Sequence, residues 1–333
     1  MSAAGKGEGA RILVVRLGAM GDVLHALPAV ASLKHSFPGS RLTWAIEPKW
    51  APLLQGNPFV DRVLMISRES PASLFRSYRT LRSERYDFAV DFQGLIKSAL
   101  VASAARPDRI FGFDKRLLRE PFAGLFYSGK VFTEAVHVVD RNLDLAAGSG
   151  GSSMLRLFPL PEGLAEGSLP AGDFVLASPL AGWGAKQWPR QHYRRLATRL
   201  RDDLGIPLVV NLPPGAGWSE PPAESHFSGL AGLIHATRRA AAVLGIDSGP
   251  LHLAAALGKP GVAIFGPTDP ARNGPYGHTF QVLRAPGAVT TYKRHAAVDD
   301  SMERISPDEV FDNLRVILSQ GRGASGCSAN CCA

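Results

Sequence analysis

The feature that most constrains this chain is an alternation that runs twice. Short, continuous runs of β-branched and aliphatic residues alternate with helix-period segments. A run of four to eight apolar residues without polar interruption suits a strand covered on both faces, the condition of a parallel sheet. In the first half such runs are RILVVRLG (11–18), LTWAIE (42–47), VDRVLMI (60–66), FAVDF (88–92) and RIFGF (109–113). The first leads into a helix over 22–37, with Val23, Leu24, Leu27, Val30 and Leu33 on its apolar face. After the Gly/Ser stretch 148–153 the pattern restarts with FVLAS (174–178), PLVVNL (207–212), AAVLGID (241–247), GVAIFG (261–266) and FQVL (280–283). Helices are expected near 190–204, 229–240 and 250–257, and a last one opens on Ser306-Pro307-Asp308-Glu309, a cap with proline in the first turn.

The fold class that follows is α/β, with two Rossmann-like domains facing across a cleft and ligands at the carboxyl ends of the strands. The expected boundaries are a disordered N-terminus (1–10), an N-terminal domain (11–147), a linker (148–172), a C-terminal domain (173–320) and a tail (321–333). The last helix is allowed a place back on the N-terminal domain.

A length of 333 residues suits two domains. No apolar run approaches the roughly 20 residues of a membrane span. The opening MSAAGKGEGA lacks the apolar core of a signal peptide. The three cysteines, Cys327, Cys331 and Cys332, all fall in the tail, so the folded body holds no disulfide framework and a reducing, cytoplasmic setting is expected. The formal net charge of +8 points to acidic partners. The excess is concentrated: residues 62–119 carry 12 Lys+Arg against 6 Asp+Glu. Within it, SLFRSYRTLRSE (73–84) places Leu74, Phe75, Tyr78 and Leu81 at helical spacing for a core face. Arg76, Arg79 and Arg82 fall on another face.

Three loops carry candidate chemistry. Gly18-Ala19-Met20-Gly21-Asp22 follows the first strand and opens a helix. A carboxylate there accepts a proton from a sugar hydroxyl, or simply caps its own helix. Ala181-Gly182-Trp183-Gly184-Ala185-Lys186-Gln187-Trp188-Pro189 follows the strand at 174–178. Its glycines expose backbone donors, and Lys186 can neutralise a diphosphate or stand as a surface lysine. Gly245-Ile246-Asp247-Ser248-Gly249-Pro250-Leu251-His252 joins a strand to a helix N-terminus, an anion site in form. Gly124–Val131 approaches Walker A spacing but ends in Val131, where a Mg²⁺-binding hydroxyl is needed, and is rejected. There is no D-x-D triplet and no Cys/His cluster at zinc spacing in the body. No metal and no cofactor are expected.

VVRLGAMGDVLHALPAV, DFQGLIKSAL, KQWP, GIDSGPLHLAAALGKP and FGPTDP together make the body, about 11–320, resemble glycosyltransferase family 9, the ADP-heptose:lipopolysaccharide heptosyltransferases. LLREPFAGLFY (117–127) is most like the heptosyltransferase I branch, which adds heptose to the Kdo region of the inner core. The resemblance implies an inverting, metal-independent GT-B enzyme. Asp22 matches the family's catalytic base, Lys186 its phosphate-binding lysine, and Asp247 the acid holding the heptose. Gly182, Ser248, Gly249 and His252 lie on the donor side. Gly21, Arg119 and the arginines 76, 79 and 82 lie on the acceptor side. Ala181-Gly182 stand where relatives often carry threonines, so backbone N–H groups replace hydroxyls there. Ser219 and Glu220 share the place of an expected ribose-binding acid.

Implied partners are ADP-heptose, a Kdo-lipid A acceptor and the anionic inner leaflet of the inner membrane, met peripherally from the cytoplasm. Nucleic acid is not among them: Phe75 and Tyr78, the aromatics that would stack bases, are read as core. Other readings are a later heptosyltransferase, a nicotinamide-dependent oxidoreductase, which requires a G-x-G-x-x-G turn that is absent, and a non-catalytic anionic-surface binder.

Overall fold

The computed structural model describes residues 9–291 and 297–326. The tail cysteines and residues 1–8 of the N-terminal lead-in lie outside the described residues. The chain divides into two compact units, 1–161 and 162–333.

The first unit runs β1 (Arg11–Val15), α1 (Met20–Ser36), β2 (Arg41–Ile46), β3 (Arg62–Met65), α2 (Pro71–Arg82), β4 (Phe88–Asp91), α3 (Ile96–Ala104), β5 (Arg109–Phe113), β6 (Gly129–Val131) and α4 (Val138–Gly148). A 3-10 segment, Pro121–Phe126, lies between β5 and β6. All its strand pairs are parallel, in the order β3-β2-β1-β4-β5-β6. One face of the sheet is covered by α2, α3 and the 3-10 segment. There Leu13, Val15 and Leu17 pack with Leu81, Ala99, Ala102, Ala123 and Tyr127. Helix α1 packs against α4.

The second unit runs β7 (Val175–Ala177), α5 (Arg190–Leu204), β8 (Leu208–Leu212), β9 (Glu224–Phe227), α6 (Leu230–Arg239), β10 (Ala242–Ile246), α7 (Gly249–Ala256), β11 (Gly261–Phe265), α8 (Pro270–Asn273), β12 (Phe280–Arg284), α9 (Asp300–Glu303) and α10 (Pro307–Gly326). Its sheet is also parallel, β12-β11-β10-β7-β8-β9. Numbered from its own first strand, this is the same 3-2-1-4-5-6 order as in the first unit. Each unit therefore has a switch point where the chain reverses direction across the sheet, between β1 and β4 and between β7 and β10. In open α/β sheets ligands sit at the carboxyl ends of the strands at that point.

The expected elements are present, with three differences. Strands β6 and β9 were not anticipated, because GKV and ESHF are too short and polar for an apolar-run criterion. Helix α10 packs against α5, β10 and β11 of its own unit. The Gly/Ser stretch is not a free linker. Ser152 and Ser153 donate their N–H groups to Ser36 Oγ at 2.9 and 3.0 Å, and Leu155 N–H donates to Ser32 Oγ at 2.8 Å. Residues up to 161 thus belong to the first unit; the second begins at Glu162, and Glu166 anchors its lead-in by accepting Gly229 N–H at 2.6 Å.

Helix α2 departs furthest from its expected setting. Leu74, Phe75 and Tyr78, expected to face the core, are 51%, 61% and 40% exposed. Only Ser77 and Leu81 are buried. Periodicity reveals that a helix has an apolar stripe, not what covers it. Here small Ser77 makes the close contact, accepting Ser67 N–H at 3.1 Å and donating to Ser73 O at 3.0 Å.

Candidate active site

In the first unit the switch point presents Asp22. It is the third residue of α1, and its Oδ2 accepts the Ala19 N–H at 3.2 Å, so the helix-capping reading holds. Its Oδ1 meets Arg16 Nη2 at 2.6 Å. Arg16 is 6% exposed and donates from Nη1 to Phe92 O at 2.7 Å, which fixes the guanidinium. A carboxylate offers about four acceptor sites. Two are used, and the Asp22 side chain is 46% exposed, so it remains open to an incoming hydroxyl. Gly18 lets the loop lie against Trp50: a Cβ there would fall 2.6 Å from the indole Nε1.

The Asp91-Phe92-Gln93-Gly94 turn buttresses this loop from β4. Gln93 Oε1 accepts Leu17 N–H at 2.9 Å, beside the Arg16–Phe92 bond. Asp91 is fully buried. Its Oδ1 accepts the N–H groups of Gln93 and Gly94 at 2.9 and 3.3 Å, and its Oδ2 the hydroxyls of Ser98 and Tyr127 at 2.8 and 2.7 Å. Burial pushes the Asp91 carboxyl above its ordinary value, against the pull of those four bonds. The same burial, with Asp91 beside it, raises the Tyr127 phenol. The Tyr127 ring lies over Gly112 in β5, where any Cβ would collide with it.

A further cluster follows β2. Glu47, its side chain 18% exposed, faces three cations: Arg68 at 2.6 Å, Lys49 at 3.7 Å and Lys97 at 4.0 Å. The neighbouring Trp50 Nε1 is buried without a hydrogen-bond partner. Sequence reasoning missed Arg16, Glu47 and the Asp91–Tyr127 network: Phe92 fixes Arg16, Arg68 and Lys97 approach Glu47, and Tyr127 meets Asp91, all from distant parts of the chain. Of the expected acceptor-side residues, Gly21 sits in the first turn of α1, and Arg76, Arg79 and Arg119 are exposed. Arg82 hydrogen-bonds the Tyr78 hydroxyl and stacks 5.1 Å over its ring. None of these four arginines is a partner of Asp22, which Arg16 holds instead.

In the second unit three expected residues meet. Lys186 ends a 3-10 turn after β7, held there because Trp188 is buried and donates from Nε1 to Ile305 O at 2.9 Å. Its ammonium reaches Asp247 Oδ2 at 2.6 Å and lies 4.3 Å from the Trp183 ring. His252 Nε2 stands 3.6 Å from Asp247 Oδ1. Asp247 is 6% exposed. Burial pushes its carboxyl upward, but His252 and Lys186 outweigh that and hold it well below the usual carboxylate range. Ser248 is the N-cap residue of α7 and makes no side-chain cap bond, and its Oγ is buried without a partner. Gly249 is the first residue of α7. A partly buried cation, a helix N-terminus and an unspent hydroxyl therefore meet at the β7/β10 switch point, an arrangement suited to a phosphate-bearing ligand.

Gly182 is exposed, and a Cβ would meet nothing there, so no local packing demands glycine. Glu220 is taken by α5: Arg194 bonds its Oε2 at 2.5 Å and Arg190 lies 3.4 Å from its Oε1. A cavity of about 1120 Å³ lies at the opposite, amino ends of β10, β11 and β12, lined by Lys259, His278 and Asp312 among others, away from these residues. Among the described residues no group of three or more His, Cys, Asp or Glu is placed to hold a metal ion.

Two parallel sheets of identical order, one switch point offering a carboxylate and the other a phosphate-type cradle, define a glycosyltransferase of the two-Rossmann class. The sequence profile described as "Glycosyltransferase family 9 (heptosyltransferase)" matches residues 74–214 and 227–299, and the chain belongs to that family. It is 32% identical over 306 residues to lipopolysaccharide heptosyltransferase 1 of Escherichia coli strain K12, covering 83% of this chain and 94% of that one. The structure of E. coli heptosyltransferase WaaC with ADP superposes with a TM-score of 0.75 at 27% identity, covering 92% of this chain and 99% of the other. WaaC with ADP-2-deoxy-2-fluoro heptose gives 0.72 at the same identity and coverage.

Proposed function

We propose that the chain transfers heptose from ADP-heptose to the Kdo region of the lipopolysaccharide inner core, with inversion at the anomeric carbon and without a metal ion. The observation that carries this reading is the Lys186–Asp247–His252 constellation at the mouth of α7, in a chain related to proteins named for heptose transfer.

In the reaction Asp22 takes the proton of an acceptor hydroxyl as that oxygen attacks the anomeric carbon. The bond from that carbon to the β-phosphate oxygen breaks, and ADP leaves with the electron pair. Lys186 and the α7 N-terminus face the charge that develops on the diphosphate. Asp247 positions Lys186 and His252 beside the sugar. Arg16 positions Asp22. The cations gathered on Glu47, together with Arg119, suit the carboxylates of an acidic acceptor sugar. The acceptor's lipid places the work at the inner face of the inner membrane.

The test offers a panel of nucleotide sugars with Kdo-lipid A and reads the product by mass spectrometry. A heptosylated product from ADP-heptose alone is expected. The D22N variant should lose transfer by at least about a thousandfold while still binding ADP-heptose, because Asn keeps the cap but takes no proton. Product from another donor, or turnover by D22N within tenfold of wild type, refutes the reading at the donor or at the base respectively.

A further inference from the structure

The outer surface of α2, α3 and the 3-10 segment exposes several large apolar side chains. Helix α2 packs beside α3, and α3 beside Pro121–Phe126. Their inner sides share one core with the sheet, so their outer sides form one continuous layer. That layer exposes large apolar side chains: Phe75 at 61%, Leu100 at 51%, Phe122 at 71% and Leu125 at 78%, with Leu74 and Tyr78 beside Phe75. Large apolar side chains exposed together on neighbouring elements mark an interaction site. The exposed cations Arg76, Arg79, Arg82 and Arg119 lie among these residues, while Asp114 is tied to Arg116 at 2.8 Å and Glu120 accepts the Ile96 N–H at 2.8 Å.

We propose that this layer is a membrane-docking face that inserts Phe75, Phe122 and Leu125 into the headgroup–acyl boundary of an anionic bilayer, with Arg76, Arg79 and Arg82 of α2 seated on lipid phosphates. Apolar tips among exposed cations match a surface that is apolar within and anionic at its rim. A second copy of the chain does not match it, since the same face would set arginine against arginine. The inference rests on the reading that the acceptor is a lipid, and it changes the role of the α2 arginines from acceptor contacts to lipid anchors.

The experiment measures sedimentation of the full chain with vesicles of phosphatidylethanolamine and phosphatidylglycerol, and with phosphatidylcholine vesicles. Wild type should bind the anionic vesicles and only weakly the zwitterionic ones. The triple variant F75S/F122S/L125S should bind at least about tenfold more weakly, even at low salt. Its thermal midpoint should be unchanged, because the replaced side chains are exposed. Transfer to an acceptor stripped of its acyl chains should stay within about twofold of wild type, while transfer to acceptor embedded in vesicles should fall. Failure of the stripped acceptor to react in both proteins would indict the proposed function and leave the vesicle result standing. Equal vesicle binding by wild type and variant overturns the docking face. So does a wild-type dimer in analytical ultracentrifugation that the variant abolishes while neither protein binds vesicles.

Discussion

Asp247 is buried between Lys186 and His252, and that pairing ties ligand binding to folding. Removing one partner of a buried ion pair leaves an uncompensated charge and costs about 3–5 kcal/mol, whereas replacing both is far milder. K186M should therefore lower stability by several kcal/mol, and K186M/D247N should recover most of the loss. ADP affinity should stay low in both, since the cation is gone from each. Denaturant titration with calorimetric ADP binding separates the two effects. A double variant no more stable than K186M would mean that the pair does not hold the loop. The sequence identified Lys186 and Asp247 separately, each from its own strand–loop–helix signature. Their contact spans 61 residues, and only the β7–β10 pairing, set by topology, brings the two loops together. Arg16 was hidden for the same reason: it reads as one more residue of an apolar strand until Phe92 is seen to hold it.

At the level of elements, the β1–α1 loop owes its geometry to the β4 turn, and that turn owes its own to Tyr127, delivered from beyond β5. Asp91 has a folded value raised above the unfolded one of about 4. The stability it contributes is complete below that unfolded value and is lost as pH rises through the folded one. Tyr127 donates to the charged form, so Y127F should raise the folded value further and cost more where the carboxylate is ionised. Loss of a hydrogen bond to a charged group is worth about 1.5–3 kcal/mol. The stability gap between wild type and Y127F should widen from pH 5 to pH 8, measured by thermal melts at both. A gap that narrows over that range would show that Asp91 is not the residue Tyr127 supports. Among the described residues, ten of the twelve strands were legible because a doubly covered strand must be apolar throughout. Strands β6 and β9 escaped because sheet edges relax that demand. The apolar stripe of α2 was also legible, and its direction was not, since amphipathicity is the same whether the stripe meets a core or a bilayer.

At the scale of the whole molecule, the two units repeat one strand order around separate cores. The second core gathers residues from Val175 to Leu318, all within its own unit. Such a unit meets the requirement for independent folding. The sequence put the division at its Gly/Ser stretch, because glycine and serine usually mark flexible chain. Here the serines are used as hydrogen-bonding groups: 152–155 run along α1 through Ser32 and Ser36, His35 Nδ1 lies 2.8 Å from Ser153 Oγ, and Asn57 donates to Pro159 O at 3.2 Å. A fragment ending at residue 150 forfeits these bonds, and one ending at 161 keeps them. At about 0.5–1.5 kcal/mol net for each bond, discounted because several are solvent-exposed, the shorter fragment should be about 2–4 kcal/mol less stable. Residues 162–333 alone should unfold cooperatively and bind ADP within about threefold of the full chain, because Lys186, Asp247, Ser248 and His252 all travel with them. Urea titrations of the three fragments and calorimetric ADP binding to the last check both expectations. Equal stability of the two N-terminal fragments would return the boundary to the Gly/Ser stretch. Loss of ADP binding by 162–333 would show that the nucleotide site needs residues from the first unit.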